Sequence, residues 1–139
     1  MLAIFSHFNE VLGLFHQLWP SKEINENSMK QVFDNGLRSK NDVFYCAEIN
    51  GKVVGFCSYA IMNSFWQGGK IAYIYSMIVE EKLRGNGIGR KLIYEVCNDA
   101  KVYGCKKMEL DSGFQRERAH KFYETIGFSK RAYKFSSDL

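Results

Sequence analysis

Ile71-Ala72-Tyr73-Ile74-Tyr75-Ser76-Met77-Ile78-Val79 is a run of apolar and aromatic residues, and it leads through Glu80-Glu81-Lys82-Leu83 into Arg84-Gly85-Asn86-Gly87-Ile88-Gly89. Apolar residues then recur at helical spacing through Tyr94. The order reads as strand, glycine loop, helix. Glycines at 85, 87 and 89 let the backbone turn sharply and bring its N–H groups close to a ligand. The helix behind them aims its unpaired N–H groups and its positive dipole end at the loop, so the natural guest is a phosphate or diphosphate. Lys82, Arg84, Arg90 and Lys91 gather there against Glu80 and Glu81.

Spacing separates the possible phosphate loops. A Walker-type loop requires a Gly-Lys-Ser/Thr ending, which is absent. A dinucleotide fingerprint beginning at Gly85 requires glycine where Arg90 stands, although Glu109 and Asp111 do lie about 20 residues on, where that motif keeps an acidic residue. The pattern Arg84-x-x-Gly87-x-Gly89 resembles the acetyl-CoA diphosphate loop of the GNAT acetyltransferase superfamily. A second stretch, Ala119-His120-Lys121-Phe122-Tyr123-Glu124-Thr125-Ile126-Gly127-Phe128, resembles the segment in which that superfamily places a helix, a Phe-Tyr pair and a Gly-Phe lead into its last strand. Both motifs occur in the superfamily's order.

The remaining chain bounds the reading. Its 139 residues, 46% of them hydrophobic, suit a single domain spanning 1–139 with one core. A net charge of +4 is mild, and no RNA-binding aromatic motif or long basic block points to nucleic acid. Cys46, Cys57, Cys97 and Cys105 lack metal-ligand spacing and sit in apolar or periodic stretches, which predicts reduced, buried or half-buried thiols. The start of the chain has no basic segment followed by a long apolar one, and no span approaches ~20 apolar residues, so a cytoplasmic chain free of the membrane is expected.

Leu2–Phe5 reads as a short first strand. Two amphipathic helices follow, one carrying Phe8, Val11, Leu12, Phe15, Leu18 and Trp19 and ended by Pro20, the other carrying Met29, Val32, Phe33 and Leu37 and closed near Gly36. Val43–Ile49 and Lys52–Ile61 flank Asn50-Gly51, a strong hairpin signal. Asn63–Lys70 reads as a mobile connection exposing Phe65 and Trp66, aromatics that suit a homodimer contact or a lid equally well. After the glycine-loop helix, closed near Gly104, come a strand at Lys107–Leu110, a helix at Arg116–Ile126 and a last strand at Phe128–Phe135. The fold class is therefore α/β, a mixed sheet with helices on both faces.

The resemblance adds expectations. It implies that the central parallel strand pair splays apart to hold the cofactor, acetyl-CoA, as co-substrate. It implies cofactor contacts from Arg84, Gly85, Asn86, Gly87, Ile88, Gly89 and Arg90, and oxyanion donors at the backbone of Met77, Ile78 and Val79. Tyr123 occupies the position of a tyrosine beside the cofactor sulfur, and Asp111 that of an acceptor-side carboxylate. Full proton transfer from a phenol near pKa ~10 to a thiolate whose acid is near ~8.5 is uphill by about 2 kcal/mol, so a hydrogen bond to the sulfur is the expected role of Tyr123. Two departures stand out: Tyr73, Tyr75 and Ser76 lie where many members carry a carboxylate, and Arg116 where many carry an Asn. The implied activity is acetyl transfer to the primary amine of a small molecule. A non-catalytic acetyl-CoA sensor is the alternative. Candidate acceptor-side residues are Trp19, Tyr45, Phe65, Trp66 and Tyr73.

Overall fold

A computed structural model describes all residues 1–139, which divide into two compact units, Met1–Glu109 and Leu110–Leu139. The first unit holds α1 (Phe8–Leu18), α2 (Glu26–Arg38), β1 (Asp42–Ile49), β2 (Lys52–Ser64), β3 (Gly69–Val79) and α3 (Ile88–Val102). β4 (Cys105–Leu110) ends at the boundary, and α4 (Glu117–Thr125) lies in the second unit. The strands form one mixed sheet in the order β1-β2-β3-β4, with β1/β2 and β2/β3 antiparallel.

Local chemistry accounts for most boundaries. Asn50 (φ 53°) and Gly51 (φ 77°) supply the two left-handed residues that a two-residue hairpin needs. Asn25 caps α2 by accepting the Ser28 N–H at 2.9 Å. Gly104 closes α3 at φ 84°. Trp19, the C-cap of α1, precedes Pro20 as expected.

α1 and α2 cover one face of the sheet, where a cluster of phenylalanines forms the core. Phe33 lies 5.5 Å from Phe44 between ring centroids, Phe44 lies 5.5 Å from Phe56, and Phe15 meets Phe56 edge-on at 6.0 Å. Burying each such ring contributes about 1.5–3 kcal/mol. Gly36 does not end α2 but lies inside it: a Cβ there would come within 2.1 Å of Phe44 Cζ, so glycine permits close approach of helix and strand. α3 covers the opposite face with Leu92, Ile93, Val96 and Ala100.

Two irregularities aim side chains. Between β1 and β2 the register shifts after Ala47, leaving Val54 extra, and the Val53 N–H donates to Glu10 Oε2 at 2.8 Å. Between β2 and β3, Ser58 faces Ser76 while Tyr59 faces Ile74, so Tyr75 is the extra residue of a bulge.

Three expectations are corrected. Leu2–Phe5 makes one bridge, Leu2 to Tyr45, before a short 3₁₀ turn at Phe5–His7, rather than a strand. The connection at Asn63–Lys70 shrinks to the turn at 65–68, because β2 and β3 pair as far as Ser64 and Gly69. Phe128–Phe135 forms no strand. Lys130, Arg131 and Lys134 interrupt that segment, and alternation alone cannot make a strand without a ladder partner. In the second unit α4 closes in a Schellman arrangement, with the Phe128 N–H donating to the Tyr123 carbonyl at 2.9 Å and Gly127 at φ 105°.

Candidate functional site

The glycine loop begins where β3 ends. Glu80 caps the short 3₁₀ turn Glu81–Leu83 by accepting the Lys82 N–H, and its carboxylate also accepts from Gln17 Nε2 at 3.4 Å. Arg84 folds back so that its Nε donates to the Val79 carbonyl at 3.1 Å, which joins the loop to the strand terminus. Asn86 Nδ2 donates to the Leu83 carbonyl at 3.0 Å, tightening the same turn.

Gly85 (φ 84°) and Gly87 (φ 81°) are both left-handed, and a Cβ at either would meet no atom within 4 Å. Glycine is needed there for the dihedral, not for space. Gly87 is the N-cap of α3, has no side chain to offer, and α3 has no acidic residue in its first turn. Side-chain acceptors are thus absent at the helix start, while Arg90 and Lys91 add positive charge. This arrangement fits a polyanion. Ile88, Gly89 and Arg90 form the first turn of α3 itself.

Met77, Ile78 and Val79 pair with Cys57, Phe56 and Gly55 on the β2 side. They follow directly on the Tyr75 bulge, so the loop and the bulge are two ends of one strand segment. At the bulge, the Tyr75 hydroxyl donates to Asp42 Oδ1 at 2.6 Å. Burial and this carboxylate raise the Tyr75 pKa, while the nearby Ser58 hydroxyl acts in the opposite direction. Asp42 thus brings a carboxylate from β1 to the region of β3 that lacks one of its own. Sequence reasoning missed it, because an Asp at a strand start looks like a flank.

Beside the bulge, a cavity of about 50 Å³ opens between α1, α2 and the sheet, lined by Phe15, Phe33, Phe44, Ser58, Tyr75 and Ser76 among others. Ser58 is 1% exposed, and its Oγ makes no hydrogen bond of normal geometry. A larger depression of about 500 Å³ along Glu23–Asn27 is open to solvent and framed by one stretch of consecutive residues, so it brings no distant groups together.

The candidate acceptor-side aromatics scatter. Tyr45 is on the wrong face: alternation along β1 sends Phe44 toward α2 and Tyr45 toward α3, where burial and then its hydrogen bond to the Asp99 carboxylate push its pKa up to about 12. Phe65 and Trp66 stand exposed at the β2–β3 hairpin tip. Trp19 packs on Phe15 at 5.0 Å, and Tyr73 pairs with Ala60 in the sheet. The four thiols are free; burial raises the pKa of each, that of Cys46 to about 12, so none is an activated nucleophile.

Tyr123 and Asp111 both belong to the second unit. Tyr123 is buried in α4, edge-on to Phe122 at 5.3 Å and to Phe128 at 5.7 Å. Asp111 is exposed and pairs with Lys134 Nζ at 3.7 Å. Arg116 is the N-cap of α4, and His120 Nε2 lies 2.8 Å from the Gly113 carbonyl.

Glucosamine 6-phosphate N-acetyltransferase of Trypanosoma brucei brucei is 33% identical over 96 residues, which is 68% of this chain, and the chain spans 63% of that relative's length. Aminoalkylphosphonate N-acetyltransferase of Salmonella typhimurium is 26% identical over 117 residues, 84% of this chain and 76% of the relative. A putative acetyltransferase from Agrobacterium tumefaciens superposes with a TM-score of 0.88 at 26% identity, covering 100% of this chain and 98% of the other. The sequence pattern of the Acetyltransferase (GNAT) family matches residues 8–128, and the chain belongs to that family.

Proposed function

We propose that this chain, acting as a single domain over 1–139, transfers an acetyl group from acetyl-CoA to the primary amine of a small molecule by direct attack in a ternary complex. The observation that carries the reading is the start of α3: two left-handed glycines, a helix N-terminus without a side-chain cap, and Arg84, Arg90 and Lys91 around it. These groups would hold the diphosphate of the co-substrate, whose thioester supplies an activated acetyl group.

The acceptor must lose a proton before it can attack. A lysine-like amine of pKa ~10.4 is neutral at pH 7 at a cost of about 4.6 kcal/mol. The Asp42 carboxylate, hydrogen-bonded to Tyr75 at 2.6 Å, favours the arrival of an ammonium and offers a place for its proton. Backbone N–H groups of Met77, Ile78 and Val79 would donate to the oxyanion, and the Tyr123 hydroxyl to the departing sulfur. Asp111 is held to an acceptor-side role by the resemblance alone.

Thermal unfolding with CoA, NAD or ATP tests the first half of the reading, with CoA alone expected to raise the midpoint. Thiol release from acetyl-CoA across a panel of primary amines tests the second. Protection by CoA with no turnover of any amine would favour an acetyl-CoA sensor. Tyr123→Phe is expected to lower kcat about tenfold with little change in CoA affinity; an unchanged kcat with chemistry rate-limiting removes Tyr123 from the mechanism.

A further inference from the structure

Ser58 sits in the middle of β2, in a run from Val53 to Tyr59 in which every residue is buried. Nearly all neighbouring polar groups in this unit have partners: Tyr75 donates to Asp42, Tyr59 to Asp99, and the Val53 N–H to Glu10. The Ser58 hydroxyl, 1% exposed, makes no bond of that quality; its polar neighbour is the Tyr75 hydroxyl, whose proton is already committed to Asp42. A buried hydroxyl without a partner is a standing cost, and a protein readily removes such a cost by substituting alanine. Ser58 also lines the cavity beside the Tyr75 bulge.

The walls of that cavity restrict its guest. None of its lining side chains is ionised at neutral pH, since they are phenylalanines, aliphatic residues, one methionine, Ser58, Ser76 and Tyr75. A phosphate would find no cation there, and a second ammonium no carboxylate. The polar atoms of Ser58, Ser76 and Tyr75 are the only ones its side chains offer, so a guest that enters the apolar remainder gains most by bringing one hydrogen-bonding atom to them. At about 50 Å³ the space accepts a compact group of a few heavy atoms.

Resting on the acetyltransferase reading above, we propose that this cavity takes the far end of the acceptor. It selects a primary amine bearing a compact apolar group with one neutral hydrogen-bonding atom, which the Ser58 hydroxyl engages. The charged groups facing the Tyr75 end are limited to Asp42 among the contacts of that hydroxyl, which places the ammonium end of the acceptor toward the bulge and the apolar end toward Phe33 and Phe44. Acceptors of the sugar-phosphate or polycationic aminoglycoside kind are disfavoured by the same walls. Ser58 is thus a specificity-determining residue.

The test compares 3-methylbutylamine, a branched amino alcohol of similar size, glucosamine 6-phosphate and an aminoglycoside, in the wild type and in Ser58→Ala. The wild type is expected to turn over the amino alcohol at least tenfold better, in kcat/KM, than the sugar phosphate or the aminoglycoside. Ser58→Ala is expected to lose about 5–10-fold more on the amino alcohol than on the alkyl amine, through KM. It should leave the unfolding midpoint unchanged or slightly raised, since a poorly satisfied hydroxyl is removed. A preference for the sugar phosphate or the aminoglycoside, or equal losses on the two small amines, overturns the proposal while leaving acetyl transfer intact. If no amine is acetylated, chemical-shift perturbation of the protein by the same four amines still decides: selective binding of the amino alcohol, weakened in Ser58→Ala, upholds the cavity assignment, and indifference among the four ends it.

Discussion

Ser58 and Tyr59 are consecutive residues of β2, 1% and 0% exposed, and they point to opposite faces of the sheet. Toward α3, the Tyr59 hydroxyl donates to the Asp99 carboxylate, and Tyr45 bonds the same group. Toward α1 and α2, the Ser58 hydroxyl lines a largely apolar cavity beside the Tyr75 hydroxyl and makes no hydrogen bond of good geometry. Two buried hydroxyls one residue apart therefore do opposite things. The α3 face carries its polar groups as a closed network, which holds the strand layer to the helix. The face beneath α1 and α2 keeps one group open, and that is the face onto which the β3 bulge turns Tyr75 and Ser76.

The comparison breaks most readily at Asp99. Asp99→Ala strands two tyrosine hydroxyls, one of them fully buried, and is expected to cost about 2–3 kcal/mol in urea unfolding. An unchanged midpoint would mean that the α3 network does not hold that face. Next in size is Gly36→Ala, whose Cβ would overlap the Phe44 ring; about 2 kcal/mol should be lost in the same measurement, with the cavity narrowed as the ring is pushed over.

Gly87→Ala meets no neighbour, so its cost is the left-handed dihedral, about 1–2 kcal/mol, accompanied by weaker CoA binding in calorimetry. Tyr45→Phe sharpens the contrast through pH. Tyr45 titrates near 12 in the folded chain against 10.0 for a free phenol, so its contribution is fully present below about pH 10 and is lost as the pH rises toward 12. The variant should cost about 1 kcal/mol at neutral pH and fall off less steeply than the wild type across that window in alkaline unfolding. Ser58→Ala has the smallest effect on stability, zero to a slight gain. A loss above about 1 kcal/mol would show that the hydroxyl has a structural partner after all.

Much of the candidate site was legible before any coordinates. The glycine loop, the strand before it and the helix after it sit where the residue pattern put them, because each is specified by neighbours in sequence. The Tyr75 bulge was not legible, since an extra residue in one strand is defined only against its partner. Without the bulge, alternation misassigns the faces of Tyr75 and Ser76. Tyr45 was placed on the acceptor side by its aromatic character, and register sent it to the other face. Ser58 did leave a trace, a lone hydroxyl in a continuous apolar run, which in a central strand is a polar group needing an explanation.

From the sequence alone came the features governed by local dihedrals and periodicity: the Asn50-Gly51 hairpin, the sharp glycine turn at 85 and 87, the helix stop near Gly104, and the family motifs built on them. Tertiary structure decided the pairings that cross the fold. Asp42 reaches Tyr75 across 33 positions and Asp99 reaches Tyr59 across 40, and neither distance in sequence predicts a contact in space. It also decided that the last segment, for all its alternation, forms no strand. The physical reason is common to all three: a backbone turn is chosen by the residues that make it, whereas a hydrogen bond between strands or across a bulge exists only once register has set both partners face to face.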